Sequence, residues 1–134
     1  MSSIQFLTRR GATCTDLLSC LYGLKPLEVQ VFYELVGKGK ATVDEVSGAV
    51  SRDRTTVHRG LSKLVSAGLA YRQSIGLKDG GYKYVYSAVE APRIREQAET
   101  KVQEIAASLQ RLVDSFERDI NARLGASAQP SGSR

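Results

Sequence analysis

From residue 52 the chain reads Arg52-Asp53-Arg54-Thr55-Thr56-Val57-His58-Arg59-Gly60-Leu61-Ser62-Lys63, a run crowded with hydrogen-bond donors and positive charge. Guanidinium forks match the paired acceptors of a phosphate or a guanine edge, hydroxyls are short donors, and the threonine methyl fits the thymine methyl. Catalytic chemistry is not indicated. His58 is the single histidine and sits inside this basic run. No Gly-rich phosphate loop joins a strand to a helix, and no nucleophile and base can be paired. The sequence therefore predicts neither an enzyme nor a cofactor. Cys14 and Cys20, six residues apart on one helical pattern, point about 240° apart and cannot share one metal ion. No metal site is expected, and both cysteines are read as buried, reduced thiols, with a redox switch as the alternative.

The charge is local. The chain has 134 residues, 19 Lys+Arg against 14 Asp+Glu, and a net charge of +5. Residues 38 to 88 hold nine basic side chains and four acidic ones, so this stretch carries the whole excess, while both flanks are neutral. A confined positive field favours an anionic polymer, because binding releases the counterions condensed on its phosphates. A merely solvated basic surface is the plainer reading. With 42% hydrophobic and 25% charged residues the composition is globular, and 134 residues allow one domain with an appendage. No apolar run reaches the roughly 18 residues of a membrane span, and no signal peptide is recognisable at the start, so a cytoplasmic protein without membrane contact is expected.

The elements that must position the basic run are legible from caps and periodicity. A flexible start over 1–12 precedes two short amphipathic helices, 13–21 and 27–36, with Pro26 in the first turn of the second and Gly37 and Gly39 ending it. Thr42-Val43-Asp44-Glu45 is a capping box opening a third helix to about Val50. The basic run forms a fourth, about 52–67, stopped by Gly68. Alternating runs from Leu69 to Leu77 and from Tyr82 to Tyr86 flank Lys78-Asp79-Gly80-Gly81 and predict a hairpin over 69–88. A long helix over 91–124 and a polar, disordered tail over 125–134 complete the chain.

This order is a mainly α fold with a small β-hairpin wing: a winged helix-turn-helix over 13–90, followed by a long C-terminal helix. Stepping about 100° per residue from Val57, the apolar Leu61, Leu64 and Val65 fall at about 40°, about 340° and about 80°. Arg59 falls at about 200°, Arg52 at about 220°, Lys63 at about 240°, Thr55 at about 160° and Ser62 at about 140°, all on the opposite face. The expected DNA-contacting set is Arg52, Arg54, Thr55, Thr56, His58, Arg59, Ser62 and Lys63 on the helix, with Lys78 and Lys83 on the wing. The competing reading is a solvated helix that happens to be basic. Tyr82, Tyr84 and Tyr86 alternate on one strand face and are read as lining the core rather than as a platform for stacking bases.

The stretch Ala41-Thr42-Val43-Asp44-Glu45-Val46, then Ser51 through the Arg-Asp-Arg-Thr-Thr-Val-His-Arg run to Gly68-Leu69, resembles the winged-helix core of prokaryotic TrmB-like and MarR-like transcriptional regulators. Leu24-Lys25-Pro26-Leu27-Glu28-Val29-Gln30-Val31-Phe32 is similar to the entry helix of the TrmB-like branch, found especially in archaea. The resemblance covers about residues 20 to 90. It implies that Arg54, Thr55, His58 and Arg59 lie on the DNA-reading helix and that 78–83 form the wing. Full-length TrmB-type regulators carry a large C-terminal sugar-binding domain. Here one helix and a tail are expected after the wing, so the resemblance supplies no effector.

The last helix carries a message of its own. Ala98, Val102, Ile105, Leu109, Leu112 and Phe116 recur at alternating spacings of four and three, a coiled-coil seam that Ile120 and Leu124 continue in a drifted register. Dimerisation is the expected use, and a helix folded back onto the region 17–27 of its own chain is the alternative. The sequence thus predicts a homodimeric regulator that binds double-stranded DNA by sequence. A winged-helix protein-interaction module and a non-specific, chromatin-like DNA-binding protein are the competing functions.

Overall fold

The computed structural model describes residues 11–128. The chain divides into two units, one ending at Glu96 and the other beginning at Gln97.

The first unit opens with α1 (Cys14–Tyr22), whose N-cap Thr13 and third residue Asp16 form a reciprocal box. Gly23, at φ 67°, ends it in the left-handed region. Helix α2 (Pro26–Lys38) has proline at its first position, and Glu28 accepts from the Lys25 N–H at 2.8 Å. It runs past Gly37, which stays helical. The stop is Gly39, at φ 82° and with its N–H on the Leu35 carbonyl. The sequence expectation of an end at Val36 was thus short, because glycine weakens a helix without breaking it and only Gly39 takes the positive φ.

Strand β1 (Lys40–Ala41) leads into α3 (Val43–Val50), and the expected capping box is made: Thr42 N–H donates to Glu45 at 2.8 Å and Glu45 N–H to the Thr42 hydroxyl at 3.2 Å. Ser51, at φ 56°, turns the chain out of α3, and the Ser47 hydroxyl donates to the Arg52 carbonyl across that turn. Helix α4 (Arg54–Ser66) ends in a Schellman motif, with Gly68 N–H on Val65 and Leu69 N–H on Leu64. Leu64 and Leu69, the apolar pair that accompanies this motif, are both fully buried.

Strands β2 (Ala70–Gly76) and β3 (Tyr82–Ala88) form the hairpin around Gly80 and Gly81, both at positive φ. The sheet has a third strand that periodicity did not reveal: β1 pairs antiparallel with β3, Lys40 opposite Ser87 and Ala41 opposite Tyr86, in the order β1-β3-β2. Helix α2 packs on α3, α4 and β3, and the common core is built from Val31, Leu35, Val46, Val57, Leu61, Leu64, Leu69 and Tyr86. This is a winged helix: three helices closed by a sheet whose far end projects as the wing.

Helix α5 (Ala91–Ala128) begins in the first unit, where Ile94 packs against the core, and makes up the described part of the second. The helix continues through Gly125 to Ala128 where a disordered tail was expected from residue 125. A single glycine costs a helix about 1 kcal/mol, which weakens it without ending it. The rest of that tail, 129–134, and residues 1–10 of the flexible start lie outside the described residues. No helix among the described residues is long and apolar enough to cross a membrane.

Candidate nucleic-acid interface

Helix α4 is held by one face. Val57, Leu61 and Leu64 are fully buried and Gly60 is buried beside them, while Thr55, His58, Arg59, Ser62 and Lys63 are exposed. The 3.6-residue period forces this division, so hydrophobic burial itself aims the basic face outward.

Three side chains of the expected set are placed differently. Arg52 is exposed but precedes the helix, because Asp53 and not residue 52 is the N-cap. Its assignment to the outward face of the helix therefore does not apply. Thr56 is half-buried and committed to that cap: its N–H donates to Asp53 Oδ2 at 3.1 Å and its hydroxyl to Oδ1 at 2.6 Å. These bonds, the Thr56 hydroxyl first, hold the Asp53 carboxyl below its usual value of 3.8. Arg54 donates from Nε to Asp44 Oδ1 at 2.9 Å, tying the first turn of α4 to the first turn of α3.

Lys78 lies in the hairpin turn and Lys83 on β3, both exposed. Lys83 and Lys38 add their charge to the Thr42 backbone bond that holds the Glu45 carboxyl down, with the backbone bond the larger cause. Between the start of α3, the start of α4 and β3 runs a groove of 520 Å³ lined by Asp44, Arg54, His58, Tyr82, Lys83 and Tyr84 among others. A second hollow of 210 Å³, lined by Ser62, Val65, Ser66, Arg72 and Tyr86, lies between the end of α4 and the sheet.

The tyrosines correct another expectation. Tyr86 is 1% exposed and belongs to the core, but Tyr84 is 47% and Tyr82 77% exposed. Alternation sets the three on one face, yet the hairpin outruns the helical body and only its root has something to pack on. Arg72, absent from the expected set, lies with its guanidinium carbon 4.3 Å from the centre of the Tyr84 ring. Strand pairing places Arg72 opposite Tyr86, a register that alternation about the Asp-Gly turn could have supplied.

The cysteines are also not both buried. Cys14 is exposed as the first residue of α1 and Cys20 is half-buried. Hydrogen bonding to the Cys14 side chain is the main cause of an upward shift in the Tyr33 phenol. Among the described residues no group of three His, Cys, Asp or Glu side chains is arranged to hold a metal ion.

Comparison with known proteins agrees with the geometry. Residues 18–92, from within α1 through the hairpin to the first turn of α5, match the family model described as sugar-specific transcriptional regulator TrmB. Two uncharacterized proteins of Methanocaldococcus jannaschii are similar. MJ1503 is 30% identical over 105 residues, covering 78% of this chain and 80% of its own. MJ1082 is 39% identical over 84 residues, 63% of this chain and 69% of its own. Among solved structures, a "possible transcriptional regulator" of Methanosarcina mazei Go1 superposes with a TM-score of 0.72 at 23% identity, over 81% of this chain and 95% of that one. The ST1889 protein of Sulfolobus tokodaii superposes with a TM-score of 0.59 at 23% identity, over 71% and 93%. Both share the fold.

Proposed function

The chain belongs to the TrmB family of transcriptional regulators, and on that premise we propose that it is a homodimer reading a specific sequence in double-stranded DNA. Helix α4 enters the major groove, Arg59, Thr55, His58, Ser62 and Lys63 face the base edges and flanking phosphates, and the wing lays Lys78 and Lys83 on the neighbouring backbone. The observation that carries this reading is the exposed basic face of α4 directly behind its fully buried Val57, Leu61 and Leu64. Arg54 acts as a positioning residue: its bond to Asp44 sets the helix start against α3. Arg52, in the turn before the cap, is free of the helix and reaches a phosphate. Thr56 contributes through the cap.

The dimer is formed by α5. Val102, Ile105, Leu109, Leu112 and Phe116 are between 44% and 66% exposed in the single chain, and Ala98 at the head of the stripe is half-buried. A coiled-coil seam of this kind is covered by a second copy of the same helix.

The direct test is selection from a pool of random duplexes by the purified protein, followed by titration of selected and random DNA at several salt concentrations. Enrichment of one inverted repeat, with affinity falling steeply as salt rises, is expected. Equal affinity for selected and random duplexes would make the protein a non-specific DNA coat. No binding at any salt concentration would leave a protein-interaction module.

A further inference from the structure

The groove-side face of the wing carries side chains that contacts by α4 and the two wing lysines leave unused. Tyr82 and Tyr84 continue outward along β3 from the buried Tyr86. The register sets Arg72 opposite Tyr86 and Ser74 opposite Tyr84, so Arg72 shares their face. Tyr82 and Tyr84 line the larger groove with Arg54 and His58 of α4, and Arg72 lines the smaller hollow with Ser62 of the same helix. This aromatic face is therefore continuous with the basic helix.

We propose that Arg72, Tyr82 and Tyr84, on the face of the wing that lines the hollows against α4, add to the two lysines a largely uncharged grip on the sugar-phosphate backbone of the duplex. The proposal rests on the duplex-binding reading above. A phenol donates its O–H to a phosphate oxygen while its ring packs on deoxyribose, a contact that adds no charge. Arg72 supplies the charge: the Tyr84 ring beneath it steadies the guanidinium plane and leaves its N–H edge for phosphate. The partner is a duplex rather than an unpaired strand. Stacking on an unpaired base uses an open ring face, and at Tyr84 Arg72 already covers one; at the more exposed Tyr82 the isolated strand below makes the distinction.

The full chain and its variants Tyr82→Phe, Tyr84→Phe and Arg72→Ala are titrated with the selected duplex, a random duplex and one isolated strand of the selected site, at several salt concentrations. Phenylalanine keeps the ring and the fold, and an unchanged melting temperature checks this. Each Tyr→Phe variant is expected to bind both duplexes about two- to tenfold more weakly, the worth of a neutral hydrogen bond, with the salt slope unchanged. Arg72→Ala is expected to weaken both and lower the slope by about one per subunit. Tyr→Phe variants that match the parent on duplex, or lose affinity only for the single strand, would overturn the proposal while leaving the duplex reading intact. A parent that binds neither duplex would overturn both.

Discussion

Asp53 fixes where α4 begins. Its carboxylate accepts from the Thr56 N–H and hydroxyl, and it titrates below its usual value because those bonds favour the charged form. Glu45 does the same for α3 through the Thr42 backbone. A carboxyl held low in the fold contributes stability that is present above its unfolded pKa and is lost as pH falls through its folded one. Thermal melts from about pH 6 down to about pH 2 should therefore show the melting temperature dropping below about pH 4.5. In Asp53→Asn, which keeps a cap without a titrating group, that acid limb should be shallower. An identical limb in the variant would mean that the cap charge is not what acid removes.

Gly60 presents the opposite case, a residue whose replacement should help. It is buried on α4, yet an added Cβ would meet only Val31 Cγ2 at 3.8 Å and Glu28 Cγ at 4.0 Å, ordinary contact distances. Alanine is a better helix former by about 1 kcal/mol. Gly60→Ala should raise stability by about 0.5 to 1 kcal/mol, read as a higher urea midpoint at unchanged slope. A lower midpoint would show that α2 and α4 approach more closely than this spacing allows.

At the scale of elements, the two jobs of α4 are separable because they lie on opposite faces. Leu64 is fully buried and its carbonyl takes the Leu69 N–H of the terminal motif. Leu64→Ala should cost about 2 to 5 kcal/mol of stability. At a temperature where the variant is still folded, its affinity for DNA should be unchanged. Denaturant melts and titrations together would check both halves of that statement. What made α4 legible in the sequence was local: its apolar period, its Gly68 stop and the Thr42 to Glu45 box before its partner helix. What was not legible depended on a distant neighbour. Two residues, Lys40 and Ala41, become a strand only because β3 lies beside them. Tyr82 and Tyr84 share the alternation of Tyr86, and their exposure follows from where the helical body ends, which no period records. Arg52 falls outside the helix because Asp53 takes the cap just after the positive-φ turn at Ser51, a boundary that the apolar period of α4 does not record.

For the whole molecule, the positive charge and the apolar stripe lie in different segments, so assembly can be lost while the winged-helix unit stays folded. The excess of five positive charges is confined to residues 38–88, and the exposed stripe to α5. Burying Leu109 and Leu112 in a dimer would contribute roughly 1.5 to 3 kcal/mol each. Leu109→Lys with Leu112→Lys should yield a folded monomer by light scattering, with the parent a dimer at micromolar concentration. A monomeric parent would contradict the assembly.

The central claim is that α4 reads bases and does not merely supply charge, and one measurement bears on it most directly. Arg59 lies nearly opposite the buried face, where a bidentate contact to guanine would be worth about 1 to 3 kcal/mol of discrimination. Lys78, in the wing turn, touches phosphate in the same account. Both alanine variants are titrated on the selected and on a random duplex across a range of salt. Arg59→Ala should lose more affinity for the selected duplex than for random DNA, while Lys78→Ala should lose equally on both and lower the salt slope by about one per subunit. Equal losses for Arg59→Ala on the two duplexes would contradict sequence reading by this helix at that position.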